Sequence, residues 1–101
     1  MTAPKNETGL DEAALRSLLA GGAGWRRQGA ELTKTFTFKG FKDAMGFANR
    51  VAAAANAANH HPDIHVEAYK TVRIGLTTHS AGGITDADVA LAKEIDKAAA
   101  G

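Results

Sequence analysis

The stretch VEAYKTVRIGLTTH, residues 66–79, decides the fold class because its apolar residues recur with a period of two. Most odd positions are polar, whereas the even positions are mostly apolar: Val66, Ala68, Val72, Ile74 and Leu76. Alternation of this length predicts strand structure with one face on a core and the other face open. A bend near Tyr69 would divide the stretch into two strands.

The preceding residues, 39–59, change to helical spacing. One apolar stripe is widened by Phe47 and Val51 and consists of Phe41, Ala44, Met45, Ala48, Ala52 and Ala55. The helix must end before Pro62, because the residue that precedes a proline avoids the helical region. His60 and His61 are therefore expected at the helix exit.

The N-terminal part of the chain predicts one helix and a hairpin. Leucines and alanines recur at helical intervals from Leu10, and the pair Gly21–Gly22 ends the run. Trp25 opens a short strand, Gly29 permits a hairpin turn, and residues 32–38 alternate apolar side chains with threonines. Lys34 interrupts the apolar face of this second strand, which indicates a position near an edge.

The C-terminal residues predict a capped helix. Thr85 is the expected N-cap, Asp88 completes a capping box, and Ile84 with Val89 forms a hydrophobic staple. The element order is helix, strand, strand, helix, strands, helix. Elements that do not alternate predict an α+β fold, with the helices packed on one face of an antiparallel sheet.

Composition limits the classes of partner. The 101 residues predict a flexible leader over residues 1–9 and a single domain over residues 10–101. A net charge of +1 without charge blocks argues against nucleic acid or an anionic membrane as the main partner. There is no cysteine, no apolar run of membrane-spanning length and no apolar segment typical of a signal peptide, so a cytoplasmic location is expected.

All four histidines of the chain lie in one window: His60, His61, His65 and His79. An unperturbed imidazole has a pKa of about 6.5 and exchanges protons near neutrality. If the long strand lies beside the exit of the second helix, His60, His61 and His79 converge at one end of the sheet. His79 is expected to end the long strand, on its open face. Singly, His60 could merely cap the helix and His79 could be a polar strand end, but three together favour an acid–base site.

Two alternatives stay open at this point. Three histidines, with Asp63 and Asp88 as oxygen ligands, could hold zinc. No spacing of i, i+2 or i, i+4 links two of the three, however, so acid–base chemistry is preferred. Asp88 is explained by helix capping alone, and it could in addition orient an imidazole if the helix N-terminus faces the site.

A longer constellation carries a resemblance to a known family. It comprises Gly24-Trp25, FTFKGF at 36–41, FANRVAAAA at 47–55, His60-His61-Pro62, Tyr69, Thr77-Thr78-His79, Gly82-Gly83-Ile84-Thr85 and Asp88. Over roughly residues 10–97 the chain resembles the pterin-4a-carbinolamine dehydratases. The resemblance implies a four-stranded antiparallel sheet with three helices on one face. It also implies dehydration of 4a-hydroxytetrahydropterin to quinonoid dihydropterin and water, without a metal or an organic cofactor.

The resemblance further implies site residues and partners. His60 and His79 are the expected acid–base pair, with the assignment between them open, and Asp88 is expected to hold an imidazole in place. The residues expected to bind the pterin are His61, Thr77, Thr78 and His79, and His61 is also expected to polarise the 4a-hydroxyl. The protein is expected to form a homodimer or homotetramer. It is also expected to recycle the pterin that an aromatic amino-acid hydroxylase uses. The alternative is a non-catalytic or dual-role protein-binding module, such as a dimerisation cofactor or an assembly chaperone.

Two positions and the length of one gap depart from the family pattern. Asn56 stands where many members carry an acidic residue, which puts the rate rather than the reaction type in question. Ile64 replaces an aromatic residue, and the gap from Pro62 to Tyr69 is long. His65 is therefore given no catalytic role.

Overall fold

The computed structural model describes residues 9–100. In chain order the elements are α1 (Glu12–Ala20), β1 (Arg26–Gln28), β2 (Glu31–Thr37), α2 (Phe41–Ala58), β3 (Asp63–Glu67), β4 (Thr71–Leu76), a 3₁₀ turn (His79–Ala81) and α3 (Asp86–Ala100). The predicted α+β fold is confirmed. The predicted leader lies outside the described residues, except for Gly9. No helix within residues 9–100 has the length and hydropathy needed to cross a membrane.

The four strands form one antiparallel sheet in the order β1-β2-β4-β3. The predicted bend near Tyr69 is the turn between β3 and β4. Ala68 and Tyr69 have positive φ angles of 48° and 53°, the backbone signs of a tight hairpin turn. Because Ile64 pairs with Ile74 and Val66 pairs with Val72, these residues lie on the same face of the sheet. The prediction that Val66 and Ala68 face the core is wrong, because Val66 on the edge strand is 37% exposed and Ala68 lies in the exposed turn.

The core lies between this face of the sheet and the helices. The sheet contributes Leu32, Val72, Ile74 and Leu76, and the helices contribute Leu15, Leu18, Phe47, Val51, Leu91 and Ile95, all buried. The stripe predicted for α2 is partly wrong, because Phe41 is 57% exposed and Met45 is 36% exposed. The buried face of α2 instead consists of residues that also have helical spacing: Ala44, Phe47, Ala48, Val51 and Ala55.

Lys34 lies on the core side of β2, at the point where pairing with β1 stops after Thr33. Its Nζ lies 2.7 Å from Oδ1 of Asp96 on α3 and 4.5 Å from the centre of the Phe36 ring. The second oxygen of Asp96 accepts a hydrogen bond of 3.0 Å from Nε1 of Trp25. The charge is tolerated beside the core because it is neutralised by a carboxylate and packed on an aromatic ring.

Candidate active site

The end of α2 fixes the positions of the first two histidines. Asn59 has left-handed backbone angles, φ 51° and ψ 42°. Its N–H donates to the carbonyl of Asn56 at 3.2 Å, and the N–H of His60 donates to the carbonyl of Ala55 at 3.1 Å. This pair of hydrogen bonds is the Schellman motif, in which asparagine is the common substitute for glycine. His60 therefore leaves the helix in a direction that the backbone determines.

His79 is held by a closed loop rather than by a strand. The prediction that it ends the strand is wrong, because β4 ends at Leu76 and His79 begins the 3₁₀ turn. Thr78 and Gly83 exchange both backbone hydrogen bonds, at 2.9 and 3.3 Å, and so close the loop around that turn. Gly82 has φ 74° and donates to the carbonyl of His79, a conformation that glycine adopts without a Cβ clash.

One cavity of about 320 Å³ brings the histidines of the two segments together, and we call it the histidine cavity. It is lined by Asn59, His60, His61, Thr77, Thr78, His79 and Ser80. A second hollow of about 250 Å³ shares Asn59, His60, Thr78 and Ser80 with it and adds Ala58 and Ala87. The predicted convergence of His60, His61 and His79 at one end of the sheet is thus what the structure contains. The volume suits a small organic ligand.

Asp88 serves as a helix cap and contacts His60 at the same time. One oxygen, Oδ2, accepts a 2.8 Å hydrogen bond from the N–H of Thr85, and the hydroxyl of Thr85 accepts from the N–H of Ala87 at 3.3 Å. The other oxygen, Oδ1, lies 2.6 Å from Nε2 of His60. Asp88 is completely buried, whereas the side chain of His60 is 16% exposed. A buried carboxylate in this position can fix both the orientation and the tautomer of an imidazole.

His61 has a neutral partner at the position where the family pattern carries an acid. Its Nε2 lies 3.1 Å from Oδ1 of Asn56, one turn back along α2, and both side chains are exposed. The amide carbonyl can accept from the ring N–H, but it carries no charge to stabilise a protonated imidazole. Within residues 9–100, His61 therefore has an orienting partner and no charged one.

The two threonines that were expected to bind substrate use their hydroxyl hydrogens within the protein. Thr77 Oγ1 donates to the carbonyl of Ala30 at 2.7 Å, and Thr78 Oγ1 donates to Oδ2 of Asp88 at 2.8 Å. Thr77 is half-buried and Thr78 is buried. Both residues line the histidine cavity, where their hydroxyl groups retain only acceptor capacity for a ligand.

His65 and Tyr69 lie away from this cavity. His65 is exposed on β3, opposite Arg73, and Tyr69 is 60% exposed in the turn at the far end of β4 from His79. Asp63 is exposed opposite Gly75. Among residues 9–100, no three histidine, aspartate or glutamate side chains form a group that could hold a metal ion.

A larger hollow lies elsewhere on the molecule. It has a volume of about 590 Å³ and is lined mainly by residues around β1 and by Thr35 and Arg73. Among the described residues that line it there is no histidine and no carboxylate, whereas the histidine cavity is lined by three histidines.

Sequence reasoning missed two residues that line the histidine cavity, Asn59 and Ser80. An asparagine immediately after the last helical residue is a signal for a left-handed cap, and it could have been read as such. Ser80 is marked only by its place after His79, and nothing in its local pattern indicates a cavity.

Comparisons with known proteins identify the family of the chain. The sequence profile described as pterin 4 alpha carbinolamine dehydratase matches residues 8–98. A relative from Thermomicrobium roseum, named "Putative pterin-4-alpha-carbinolamine dehydratase", is 52% identical over 85% of this chain and 91% of its own length. A relative of the same name from Sulfurisphaera tokodaii is 48% identical over 87% of this chain and 94% of its own length.

Two solved structures share the fold. The crystal structure of a transcriptional coactivator/pterin dehydratase from Brucella melitensis superposes with a TM-score of 0.79 at 33% identity, covering 89% of this chain and 97% of that one. A pterin dehydratase-like protein identified as a RuBisCO assembly factor in the alpha-carboxysome superposes with a TM-score of 0.63 at 29% identity, covering 75% and 89%. The profile match, the sequence relatives and the shared fold together show that this chain belongs to the pterin 4 alpha carbinolamine dehydratase family.

Proposed function

We propose that this protein dehydrates 4a-hydroxytetrahydropterin to quinonoid dihydropterin and water by histidine acid–base catalysis. The observation that carries the proposal is the histidine cavity, where His60 and His61 from the end of α2 meet His79 from the loop after β4. Family membership supports the same reaction.

The reaction requires two proton movements. The 4a-hydroxyl leaves as water only if an acid protonates it, and the N5 proton must go to a base so that the new double bond can form. His60 and His79 are the proposed pair, because their segments are separate and their surroundings differ. His60 is mostly buried against Asp88, whereas His79 is exposed. Different environments allow one imidazole to act as acid and the other as base.

His61 is proposed to bind the pterin and polarise its hydroxyl, since it is exposed at the mouth of the cavity and oriented by Asn56. Thr77 is proposed to contact the substrate through an acceptor atom, and Thr78 lines the cavity beside it. Asp88 is proposed to hold His60 in place. General acid–base help of this kind contributes about 10²–10⁴-fold to the rate.

The proposal includes the setting expected from the sequence. The enzyme would act in the cytoplasm as a homodimer or homotetramer, without a metal or an organic cofactor. Its product would return to the pterin pool used by an aromatic amino-acid hydroxylase.

The direct test is carbinolamine dehydration by metal-free protein, with His60→Ala and His79→Ala as the informative variants. Each is expected to lower kcat by about 10²–10⁴-fold, the usual worth of a general acid or base. His65→Ala is the matched control, because His65 is exposed on β3 outside the cavity and its loss should leave the rate unchanged. Parent-like rates in both informative variants would remove the assignment, and a rate that appears only with added zinc would favour metal chemistry.

A second candidate is a protein-binding role, alone or beside catalysis. It is favoured by the similarity to the RuBisCO assembly factor and by four exposed large hydrophobic residues: Phe41, Met45, Val66 and Tyr69. The test is a pull-down for a protein partner that binds in a stoichiometric complex. The His60→Ala/His79→Ala double variant should still form this complex, whereas Phe41→Ser and Tyr69→Ser should abolish it. A parent protein that binds such a partner and does not turn over pterin would favour this role over catalysis.

A further inference from the structure

Beneath Asp88, two threonine hydroxyls form a short buried chain. Thr78 Oγ1 lies 2.8 Å from Oδ2 of Asp88 and 2.8 Å from Oγ1 of Thr85. Thr78 is 8% exposed, Thr85 is 2% exposed and Asp88 is completely buried, so bulk water does not compete for these contacts. No buried side-chain nitrogen or oxygen in the described part of the chain lacks a hydrogen-bond partner.

Counting hydrogens gives the chain a direction. The ionised carboxylate of Asp88 can only accept, so the single hydroxyl hydrogen of Thr78 points at Asp88. Thr78 Oγ1 must then accept from Thr85, whose hydroxyl in turn accepts from the N–H of Ala87. The sequence of donors is therefore the helix N–H of Ala87, the hydroxyl of Thr85, the hydroxyl of Thr78 and finally Oδ2 of Asp88.

This chain leaves one oxygen of Asp88 for the histidine. Oδ2 receives both the hydroxyl of Thr78 and the N–H of Thr85, so Oδ1 faces Nε2 of His60. Because Oδ1 can only accept, the hydrogen resides on Nε2. Among the described residues nothing hydrogen-bonds Nδ1 of His60, which makes Nδ1 the nitrogen that exchanges its proton.

We propose that Thr78 is a positioning residue: its hydroxyl fixes the carboxylate of Asp88 in rotation and thereby locks the ring of His60 in the Nε2–H tautomer, with Nδ1 as the working atom. The expected effect of Thr78 on kcat rests on the proposed function, whereas its effect on the His60 tautomer does not. It also changes the expected role of Thr78, whose side chain acts on His60 through Asp88 rather than on the pterin. Thr78 directly precedes His79, so one residue links the loop of one histidine to the tautomer of the other.

The experiment compares Thr78→Val, which keeps the shape and removes the hydroxyl, with Thr78→Ser, which restores the hydroxyl. Long-range proton–nitrogen NMR correlations of the His60 ring report which nitrogen carries the hydrogen. In the valine variant only the N–H of Thr85 holds Oδ2, so the carboxylate of Asp88 can turn away from Nε2. We therefore expect a mixture of the two His60 tautomers and a kcat lowered by about 10–100-fold with KM little changed, the usual worth of a hydrogen bond to a charged group. The serine variant should restore the Nε2–H tautomer and the parent kcat.

Thr33→Val is the control, because Thr33 is an equally buried threonine whose hydroxyl donates to Gln28 instead. It should change neither the tautomer nor kcat. A valine variant of Thr78 that keeps the Nε2–H pattern and the parent kcat would overturn the proposal. If that variant does not fold, the same NMR measurement on the parent protein tests the proposal. A neutral His60 with its hydrogen on Nδ1 would contradict the hydrogen-bond chain directly.

The NMR arm is independent of turnover. A protein without dehydratase activity that still shows the tautomer response of Thr78→Val would refute the proposed function and leave the hydrogen-bond chain standing. An active protein without that response would support the proposed function and refute the hydrogen-bond chain.

Discussion

His60 and Asp88 are joined by a 2.6 Å contact between Nε2 and Oδ1, although 28 positions separate them in the chain. The contact connects the exit of α2 to the first turn of α3 and places a buried carboxylate behind an imidazole that lines the histidine cavity. Three donors converge on this carboxylate, so its two oxygens are not interchangeable.

Asp88→Asn is expected to reverse the tautomer of His60. Because Oδ2 takes two donors, the amide oxygen should occupy that position and the amide nitrogen should face His60. Nε2 must then accept, and the ring hydrogen moves to Nδ1. We expect kcat to fall by about 10²–10⁴-fold.

Steady-state kinetics and circular dichroism would test this, with Asp63→Asn as the control because Asp63 is exposed outside the cavity. A folded Asp88→Asn variant with the parent kcat would contradict the role given to the carboxylate.

Asn56→Asp is expected to move the alkaline limb of the pH–rate profile to higher pH. The new carboxylate beside Nε2 of His61 favours the protonated imidazole, so that form persists as the pH rises. Since the pair is exposed, the movement should be less than about one pH unit and should shrink in salt.

Asn49→Asp adds the same charge to an exposed site two turns earlier on α2 and should leave the profile in place. A profile for Asn56→Asp that moves to lower pH, or that moves equally in Asn49→Asp, would count against this reading.

At position 59, substitution by glycine should destabilise the protein less than substitution by alanine. In its left-handed conformation a Cβ without a compensating side-chain hydrogen bond costs about 1–2 kcal/mol, so Asn59→Ala should lower the free energy of unfolding by that amount. Asn59→Gly should remain close to the parent.

Urea denaturation measures both variants, and Asn49 supplies the internal comparison. At that position inside α2, glycine should be less stable than alanine by about 0.5–1 kcal/mol, so the order of the two substitutions reverses. The same order at both positions would show that the left-handed cap does not control the end of the helix.

Lys34→Met is expected to destabilise the protein by about 1–3 kcal/mol, because it leaves Asp96 partly buried with only the indole N–H of Trp25. The two side chains of the Lys34–Asp96 pair are 16% and 27% exposed, which makes the loss larger than for a surface pair.

Lys97→Met is the matched control. Its ion pair with Glu94 is mostly exposed, at 75% and 55%, so its loss should cost less than about 0.5 kcal/mol. Equal midpoints of urea unfolding for the two variants would show that Lys34 acts as a surface charge.

Local patterns were sufficient for the elements and for one part of the site. The alternation in residues 71–76, the stop before Pro62 and the capping box from Thr85 to Asp88 depend on neighbours within a few residues, and the structure contains all three. Clustering of the histidines predicted a shared site, and His60, His61 and His79 do line one cavity.

Long-range packing decided the rest. The apolar residues of α2 all follow the helical period, and only packing against the rest of the fold buries Phe47 and leaves Phe41 exposed. The partners of Lys34 and of His60 lie 62 and 28 positions away, and no local pattern encodes which oxygen of Asp88 each donor takes. Sequence by itself determined the kinds of element and the kinds of side chain, because propensity and periodicity are local. The tertiary structure alone decided which of those side chains meet, because that depends on how separate elements pack.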